Sequence, residues 1–479
     1  MSIREAKVIH CIGIGGINMS AVAKLLLSKG IRVSGSDAAS NEQTEILASR
    51  GATIQIGHAA EHIPTDAELV IYSSAVPETN PERTEATSRG IRQMTNFQFL
   101  GEWFAEQKTV VVCGTHGKST TTAMLGLIAE KAKLDPTVIV GSKVPQFPEG
   151  NLRLGSSGLF IVEGDEYAKH FLEFRPRAVL LNNIELDHTD VFPDLASMVQ
   201  TFRELILKIT YGGILVANVG DENVRKLLDT VAVELSSMKL RIVRFNGVGE
   251  DVWKVSHTFD AGVTRVSIEK PGIAYRLILN VPGGHNAVNA AGAALMAREL
   301  GAEYPDVAAG LESFKGIWRR MELLRDSNDV RIYSDYGHHP TAVAATLSAA
   351  KEMSGGSRVI LCFQPHHRNR TKHLFLEFVT SFDLADVLIL CEIYDVAGRD
   401  ASEDADISSD DLRDAVVRHD ADRSVKRIVE FAPDPSSAVK RTLELKEPGD
   451  VVIVMGAGDI DAAIRSVILS GTDVKPKDL

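Results

Sequence analysis

The chain has 479 residues, of which 44% are hydrophobic and 24% are charged, and its formal net charge at pH 7 is −12. A chain of this length exceeds one hydrophobic core, so we expect roughly two to four domains. The acidic balance argues against a broad surface for nucleic acid or an anionic membrane, and no apolar run approaches the roughly 20 residues that cross a bilayer. Four cysteines in or beside apolar, β-rich runs predict buried free thiols and a cytoplasmic protein: Cys11, Cys113, Cys362 and Cys391.

Residues 1–105 alternate short β-rich runs with helical patterns, which predicts a Rossmann-like parallel sheet. "KVIHCIGIGG" is a strand followed by a glycine turn, and "NMSAVAKLLLSKG" is a helix with Gly30 as its C-cap. Further strands are predicted at "IRVSGSD", "ATIQIG" and "AELVIYSSAV". The segment "FLGEWFAEQK" is predicted to be a helix that leads into a second unit.

The second α/β unit is predicted over residues 106–316 and a third over residues 317–479. The second has strands at "TVVVCG", "GLFIVEGD", "RAVLLNNIELD" and "GGILVANVGD", then alternating β patterns at "LRIVRFNGV", "TRVSIEK" and "AYRLILNV" and a helix at "NAVNAAGAALMARELG". The third has strands at "VRIYSD", "RVILCF", "DVLILCEI", "RIVEF" and "DVVIVMGAG". The acidic stretch "GRDASEDADISSDDLRD" is expected to be a solvated loop and helix start.

The stretch "GTHGKST" follows a predicted strand and opens a predicted helix, which is where a phosphate-binding loop lies. Its glycines permit close backbone approach, Lys118 can reach the β and γ phosphates, and Ser119 is the expected magnesium ligand. Val112 stands where the common form of this loop has its first glycine, so a plain strand–helix turn is the alternative. The candidate loop comprises Gly114, Thr115, His116, Gly117, Lys118, Ser119 and Thr120.

Two acidic clusters follow strands of the same unit. The first is Glu163, Asp165 and Glu166, and the second is Glu185, Asp187, His188 and Asp190. Because ligands of parallel sheets bind at the carboxyl ends of the strands, both clusters are candidates for magnesium ligands beside the loop. The alternative is that these side chains only cap strands and helices.

A second glycine turn, "GIGGINMS", lies near the amino terminus, with Gly13, Gly15 and Gly16 but with Asn18 in place of the last glycine of GxGxxG. Asp37 follows about 20 residues later, where a dinucleotide-binding fold places the acid that binds ribose. The turn would bind any pyrophosphate at a helix amino terminus, so NAD and a UDP-sugar both remain open.

Taken together, these motifs resemble the Mur ligase family, the ATP-dependent amide-forming ligases of peptidoglycan synthesis, over essentially the whole chain. "GTHGKSTTT" resembles the family's phosphate loop, with Ser119 in place of the usual threonine, and "VEGDE" and "NNIELDH" resemble its two magnesium segments. "GGHNAVNAAGA" is similar to the adenine segment, and "FKGIWRRME" and "DYGHHPT" are similar to the start of the third domain. "GIGGINMS", "SGSD" and "SSAVPETNPE" resemble the UDP-sugar domain.

The carboxyl-terminal motifs "FQPHHRNRT" and "VVIVMGAGDID" resemble the members that add a single amino acid. The resemblance implies three α/β domains: a Rossmann-like UDP-binding domain (1–105), a central P-loop ATPase-type domain (106–316) and a carboxyl-terminal Rossmann-like domain (317–479). It implies a ligase that joins L-alanine to the carboxylate of UDP-N-acetylmuramate through an acyl phosphate, with ATP and Mg²⁺ as cofactors. His367 departs from the family pattern where an arginine is expected, and Ser334 departs where an acid is expected.

The alternatives are a ligase that recycles the murein tripeptide onto UDP-N-acetylmuramate, an NAD-dependent dehydrogenase that uses only the first glycine turn, and a nucleotide switch that uses only the second. We expect a monomer or homodimer, without nucleic-acid partners or membrane insertion.

The resemblance also assigns roles to individual residues. The expected catalytic residues are Lys118, Glu163, His188 and His338, and the expected metal ligands are Ser119, Glu163 and His188. Beyond the loop, the nucleotide is expected to contact Asn183, His285, Asn286, Asn289, Arg320 and Asp335. The substrates are expected to contact Gly13, Gly15, Gly16, Asp37, Ser73, Ser74, His366 and Arg370. For His338 and His366, a purely structural role is the alternative.

Overall fold

The structure is a computed structural model that describes residues 3–189, 191–327, 330–395 and 407–470. Three separate sheets organise these residues, which confirms the predicted α/β class with three units. The predicted boundaries at 105/106 and 316/317 fall between the sheets and stay predictions. Asp190 and residues 398–406 of the predicted acidic loop lie outside the described residues.

The first sheet has five parallel strands in the order β3-β2-β1-β4-β5. The elements are β1 (Val8–Ile12), α1 (Ile17–Ser28), β2 (Arg32–Asp37), α2 (Glu42–Ser49), β3 (Thr53–Ile56), β4 (Leu69–Tyr72), α3 (Pro81–Ser88), β5 (Arg92–Thr95) and α4 (Asn96–Trp103). The predicted helix at "FLGEWFAEQK" starts earlier, because Thr95 and Gln98 form a capping box. The strand order reverses between β1 and β4, so a crevice opens at their carboxyl ends.

The central sheet has ten strands in the order β15-β14-β13-β12-β11-β10-β6-β9-β7-β8. The elements are β6 (Lys108–Cys113), α5 (Lys118–Lys131), β7 (Thr137–Ile139), β8 (Leu152–Arg153), β9 (Leu159–Glu163), β10 (Ala178–Leu181), α6 (Leu195–Leu207), β11 (Ile214–Asn218), α7 (Glu222–Thr230), α8 (Ala232–Ser237), β12 (Arg241–Phe245), β13 (Val252–Asp260), β14 (Val263–Lys270), β15 (Ile273–Leu279), α9 (Gly284–Glu299) and α10 (Tyr304–Ser313). The alternating patterns predicted β12, β14 and β15 but missed β13, because only the first two residues of that strand are buried.

The third sheet has six strands in the order β16-β17-β21-β18-β19-β20, with β16 antiparallel to its neighbour. The elements are β16 (Glu322–Ser327), β17 (Val330–Asp335), α11 (Pro340–Ser354), β18 (Val359–Phe363), α12 (Arg368–His373), α13 (Phe375–Ser381), β19 (Val387–Cys391), α14 (Ser409–Asp422), β20 (Ile428–Ala432), α15 (Pro435–Leu445), β21 (Val451–Met455) and α16 (Ile460–Ser470). Its central strands are buried along their whole length, as expected for parallel strands covered on both faces.

Small residues let the helices behind the phosphate loop pack closely. A Cβ on Gly310 of α10 would lie 2.5 Å from Ile128 Cα of α5, and α9 is rich in buried alanine. This close packing fixes α5, and with it the loop that precedes α5.

All four cysteines are buried and free, as predicted. No helix within the described residues is both long and apolar enough to cross a membrane.

Candidate active site

A cavity of about 420 Å³ lies where the three domains meet. Its lining includes Ile17 and Asn18 at the start of α1, residues 115–119 of the central loop, and His338 and Arg370 of the third domain. A second cavity of about 410 Å³ shares the loop and extends to the start of α9. Because both cavities share the loop, they form two arms of one cleft.

The loop between β6 and α5 requires glycine at two positions. Gly114 has a φ of 137° and Gly117 a φ of 79°, which side chains rarely permit. A Cβ on Gly114 would lie 2.9 Å from Asn183 N, and one on Gly117 would overlap the Asn289 side chain. Asn183 accepts a hydrogen bond from the His116 N–H at 2.7 Å and donates to the His116 carbonyl at 3.1 Å. The loop is therefore held in one shape at the amino terminus of a helix, where phosphate binds.

Lys118 is held against its own loop and against a buried acid. Its Nζ donates to the carbonyls of Gly114 at 2.8 Å and Thr115 at 3.1 Å, and to Glu166 Oε1 at 2.8 Å. Glu166 is 1% exposed, and its Oε2 has no hydrogen-bond partner among the described residues. Burial raises the pKa of Glu166, and the charge of Lys118 opposes that rise. A phosphate in the loop would compete with Glu166 for this lysine.

Ser119 and Glu163 form a pair of oxygen donors beside the loop. Ser119 Oγ donates to Glu163 Oε1 at 2.9 Å, and Gly141 N–H donates to Glu163 Oε2 at 2.6 Å. Burial raises the pKa of Glu163, so its negative charge is costly without a nearby cation. A hydroxyl and a carboxylate are the hard donors that Mg²⁺ prefers, so this pair fits the predicted metal.

His188 faces the same cavity from a strained backbone. Its φ is 52°, and its Nε2 lies 3.8 Å from Glu166 Oε1 and 3.9 Å from Asp187 Oδ2. Burial lowers the pKa of His188, so the ring is neutral at pH 7 and offers a lone pair. The neutral ring and its place in the cavity fit the predicted ligand role.

Arg370 is already engaged by an acid of the central domain. Its Nη2 and Nε donate to Asp187 Oδ1 at 2.7 and 3.0 Å, and both side chains are less than 10% exposed. Burial alone would raise the pKa of Asp187, but the charge of Arg370 holds it well below its usual range. Arg370 lines the predicted substrate cavity, so an amino-acid carboxylate there would share Arg370 with Asp187.

His338 and His366 both line the first cavity. The Nδ1–H of His338 donates to the Tyr336 carbonyl at 3.0 Å, which leaves Nε2 as an acceptor. Burial lowers the pKa of His338 well below its usual range, so the ring is neutral. The His366 ring lies 5.6 Å from that of His338 and stacks on Tyr394.

The predicted adenine segment lines the second cavity. Burial lowers the pKa of His285 to about 4, so this ring is neutral. Asn286 Nδ2 donates to the Pro282 carbonyl at 2.7 Å, and Asn289 lies against Gly117 of the loop. The segment therefore forms a wall of the cleft that reaches the loop.

Two further predicted nucleotide contacts lie at the edge of the third domain. Arg320 lines both cavities, with its guanidinium 5.3 Å from the Tyr336 ring centroid. Asp335 lines the second cavity, but its oxygens accept hydrogen bonds from Gly337 N–H at 2.7 Å and Met321 N–H at 2.8 Å. Asp335 therefore fixes the backbone around the cleft, and its predicted contact with the nucleotide stays a prediction.

The predicted substrate residues of the first domain cluster at its crevice. The Gly15 N–H donates to Asp37 Oδ2 at 2.8 Å, and a Cβ on Gly13 would lie 3.1 Å from Ser73 Cβ. Gly16 precedes α1, and the exposed Ser74 follows β4. Asp37 thus holds the glycine turn, and its predicted contact with the substrate stays a prediction.

The two departures from the family pattern have different surroundings. Ser334 donates to Asp461 Oδ1 at 2.5 Å, so α16 supplies a carboxylate beside the position where an acid is expected. His367 has a φ of 74° and precedes α12. Arg368, the next residue, donates to Asp395 Oδ1 at 3.1 Å.

The sequence indicates Glu166 and Asp187 only as acids near the predicted metal. The structure pairs Glu166 with Lys118 and Asp187 with Arg370. The signal in the sequence was their place after strands of the loop-bearing sheet, which does not specify a cationic partner.

Each domain matches a family description. Residues 8–108 match the Mur ligase family catalytic domain, residues 112–297 the Mur ligase middle domain, and residues 319–458 the Mur ligase glutamate ligase domain.

Two curated relatives are named UDP-N-acetylmuramate–L-alanine ligase. The one from Salinibacter ruber is 37% identical over 465 residues, which covers 96% of this chain and 94% of the relative. The one from Clostridium perfringens is 36% identical over 462 residues, which covers 95% of this chain and 96% of the relative.

Solved structures match over nearly the full length. UDP-N-acetylmuramate-alanine ligase from Thermotoga maritima has a TM-score of 0.79 and 26% identity, and the match covers 98% of this chain and 99% of that one. A murein peptide ligase from Psychrobacter arcticus has a TM-score of 0.67 and 24% identity, with coverage of 97% and 98%.

Proposed function

This chain belongs to the Mur ligase family, and from that membership we propose that it is an ATP-dependent ligase that joins L-alanine to the carboxylate of UDP-N-acetylmuramate. One observation carries the proposal. A phosphate loop, a pair of oxygen donors for a cation and a buried arginine face one cavity, to which all three domains contribute. The names of the curated relatives supply the two substrates.

The proposed reaction has two steps. An oxygen of the sugar carboxylate bonds to the γ phosphorus of ATP, and ADP leaves, which produces an acyl phosphate. The alanine nitrogen then bonds to the acyl carbon, phosphate leaves, and the nitrogen loses a proton. Catalysis of such transfers is mostly positioning and charge stabilisation.

The central domain would hold the nucleotide through its own residues. Lys118 would leave Glu166 and contact the phosphates, while the N–H groups of the loop bind the phosphate oxygens. Ser119, Glu163 and His188 would hold Mg²⁺, which when bound offsets negative charge on the phosphates. His285, Asn286 and Asn289 would contact the base.

The other two domains would bring the substrates to the loop. The glycine turn before α1 would bind the UDP pyrophosphate, since a helix amino terminus favours anions. Arg370 would pair with the alanine carboxylate. His338 would orient the substrates through Nε2, since Nδ1 is committed to the Tyr336 carbonyl.

Phosphate release from ATP tests the proposal. Release should require both UDP-N-acetylmuramate and L-alanine. Glycine and L-serine should be poorer acceptors, because one methyl or hydroxyl group alters binding by about 1–3 kcal/mol. A competition between L-alanine and the murein tripeptide decides the nearest alternative, and a clear preference for the tripeptide would reject the alanine assignment but keep the ligase class.

Two other outcomes would reject the ligase itself. Hydride transfer with NAD would indicate the dehydrogenase, and ATP hydrolysis that ignores both substrates would indicate the nucleotide switch.

A further inference from the structure

Three side chains from two domains meet beside the phosphate loop. His116 lies in the loop, Glu185 follows β10, and His339 precedes α11. His116 Nε2 is 2.9 Å from Glu185 Oε2, and His339 Nδ1 is 3.8 Å from the same oxygen. Donor atoms of all three lie within 4.8 Å of one another, and the imidazole centroids are 5.0 Å apart.

The donor atoms are those of a transition-metal site. Two imidazoles and a carboxylate suit Zn²⁺ with its fourth position open, whereas Mg²⁺ prefers oxygen donors. Burial lowers the pKa of His339, so its ring is neutral and offers a lone pair. Burial alone would raise the pKa of Glu185, but hydrogen bonds from His116 and Thr341 lower it overall, so this carboxylate is ionised.

A separate observation concerns the hydrogen bonding of His339. The residue is 3% exposed, and its Nε2 has no hydrogen-bond partner among the residues that the structure describes. Its Nδ1 accepts a hydrogen bond of 3.3 Å from the Thr341 N–H. A buried polar group that lacks a partner is costly. The unpartnered atom is Nε2, whereas Nδ1 faces Glu185, so a metal at Nδ1 would replace the hydrogen bond from the Thr341 N–H.

We propose that His116, Glu185 and His339 form a binding site for one divalent transition-metal ion of the Zn²⁺ class. Bond lengths of about 2.0–2.2 Å to zinc place the donor atoms of a tetrahedral site roughly 3.4 Å apart. The separations of 2.9 and 3.8 Å from Glu185 are close to that value. The two histidine nitrogens lie within 4.8 Å of each other, so a closer approach of the two rings would complete the site.

A metal at this site would connect the loop to the third domain. The two domains already touch here, because Thr341 at the start of α11 donates to Glu185 Oε1 at 2.6 Å. Metal–ligand bonds would add a stronger link between His116 and His339.

The test measures Zn²⁺ binding to the full chain, purified without a polyhistidine tag, by competition with a chromophoric chelator in excess Mg²⁺. We expect one Zn²⁺ per chain, and a visible spectrum of four-coordinate Co²⁺ when that ion is used instead. His339→Gln should weaken binding at least about 10-fold, the smallest loss expected even for an indirect partner of a metal. Glu185→Gln is the second variant, in case His339→Gln fails to fold by circular dichroism.

Two controls separate this site from others. His62→Gln is the matched histidine control, because His62 Nδ1 lies 3.2 Å from Glu82 in the first domain. Glu163→Gln removes a carboxylate of the proposed magnesium pair. Both should keep the affinity of the unaltered chain for Zn²⁺.

The proposal is overturned if the unaltered chain binds no Zn²⁺, if the folded site variant keeps its affinity, or if either control loses it. Because the readout is metal binding, the result is independent of the proposed ligase activity.

Discussion

Replacing Arg370 by alanine tests two roles of this side chain: its ion pair with Asp187 and its proposed contact with the alanine carboxylate. Arg370 donates twice to Asp187 Oδ1, and the two side chains are 9% and 7% exposed. Removing one partner of such a pair costs about 3–5 kcal/mol of folding stability, because the other charge stays buried. Losing a charged hydrogen bond to the alanine carboxylate costs about 1.5–3 kcal/mol, which corresponds to about 10- to 150-fold weaker alanine binding.

The assay compares Arg370→Ala, Asp187→Asn and the double variant by urea unfolding and by KM for L-alanine and ATP. Arg370→Ala should lose stability and raise the KM for alanine far more than the KM for ATP. The double variant should regain much of the stability, since no charge is stranded, but should keep the high KM for alanine. Recovery of alanine binding in the double variant, or an equal rise in the KM for ATP, would refute the reasoning.

The remaining predictions concern the phosphates, the metal and the first domain. Lys118→Ala should abolish ADP formation while circular dichroism stays unchanged, and normal activity would remove the loop from the mechanism. Glu163→Gln and His188→Ala should each raise the Mg²⁺ concentration for half-maximal rate, and unchanged titrations of both would reject the metal assignment. Burial would raise the pKa of Glu82, but hydrogen bonds from His10 and other neighbours lower it from 4.5 to about 2. This shift adds about 3 kcal/mol to the free energy of unfolding at neutral pH. That stability is complete above pH 4.5 and is lost as the pH falls toward 2. Glu82→Gln should therefore lower the melting temperature near neutrality, and in acid its melting temperature should approach that of the unaltered chain. A difference in melting temperature that does not change with pH would exclude this role.

Much of the fold could be predicted because its causes are local in sequence. Apolar runs such as those of β6 and β18 form fully buried strands, since a parallel strand covered on both faces must be apolar throughout. The phosphate loop was predictable because its causes are also local: a strand, a glycine turn and a helix are contiguous in the chain. Strand β13 was missed because most of it is exposed, so its residues carry little apolar alternation.

The sequence by itself determined three α/β units, the loop and the set of candidate acids, since residue type and spacing decide each of them. Only the tertiary structure decided which acid pairs with which cation. Asp187 and Arg370 are 183 positions apart, and Ser334 and Asp461 are 127 positions apart. Glu185 meets His339 only because α11 of the third domain packs beside the loop. These pairings depend on how separate domains dock, and the docking surface is a property of three folded units that no local pattern encodes.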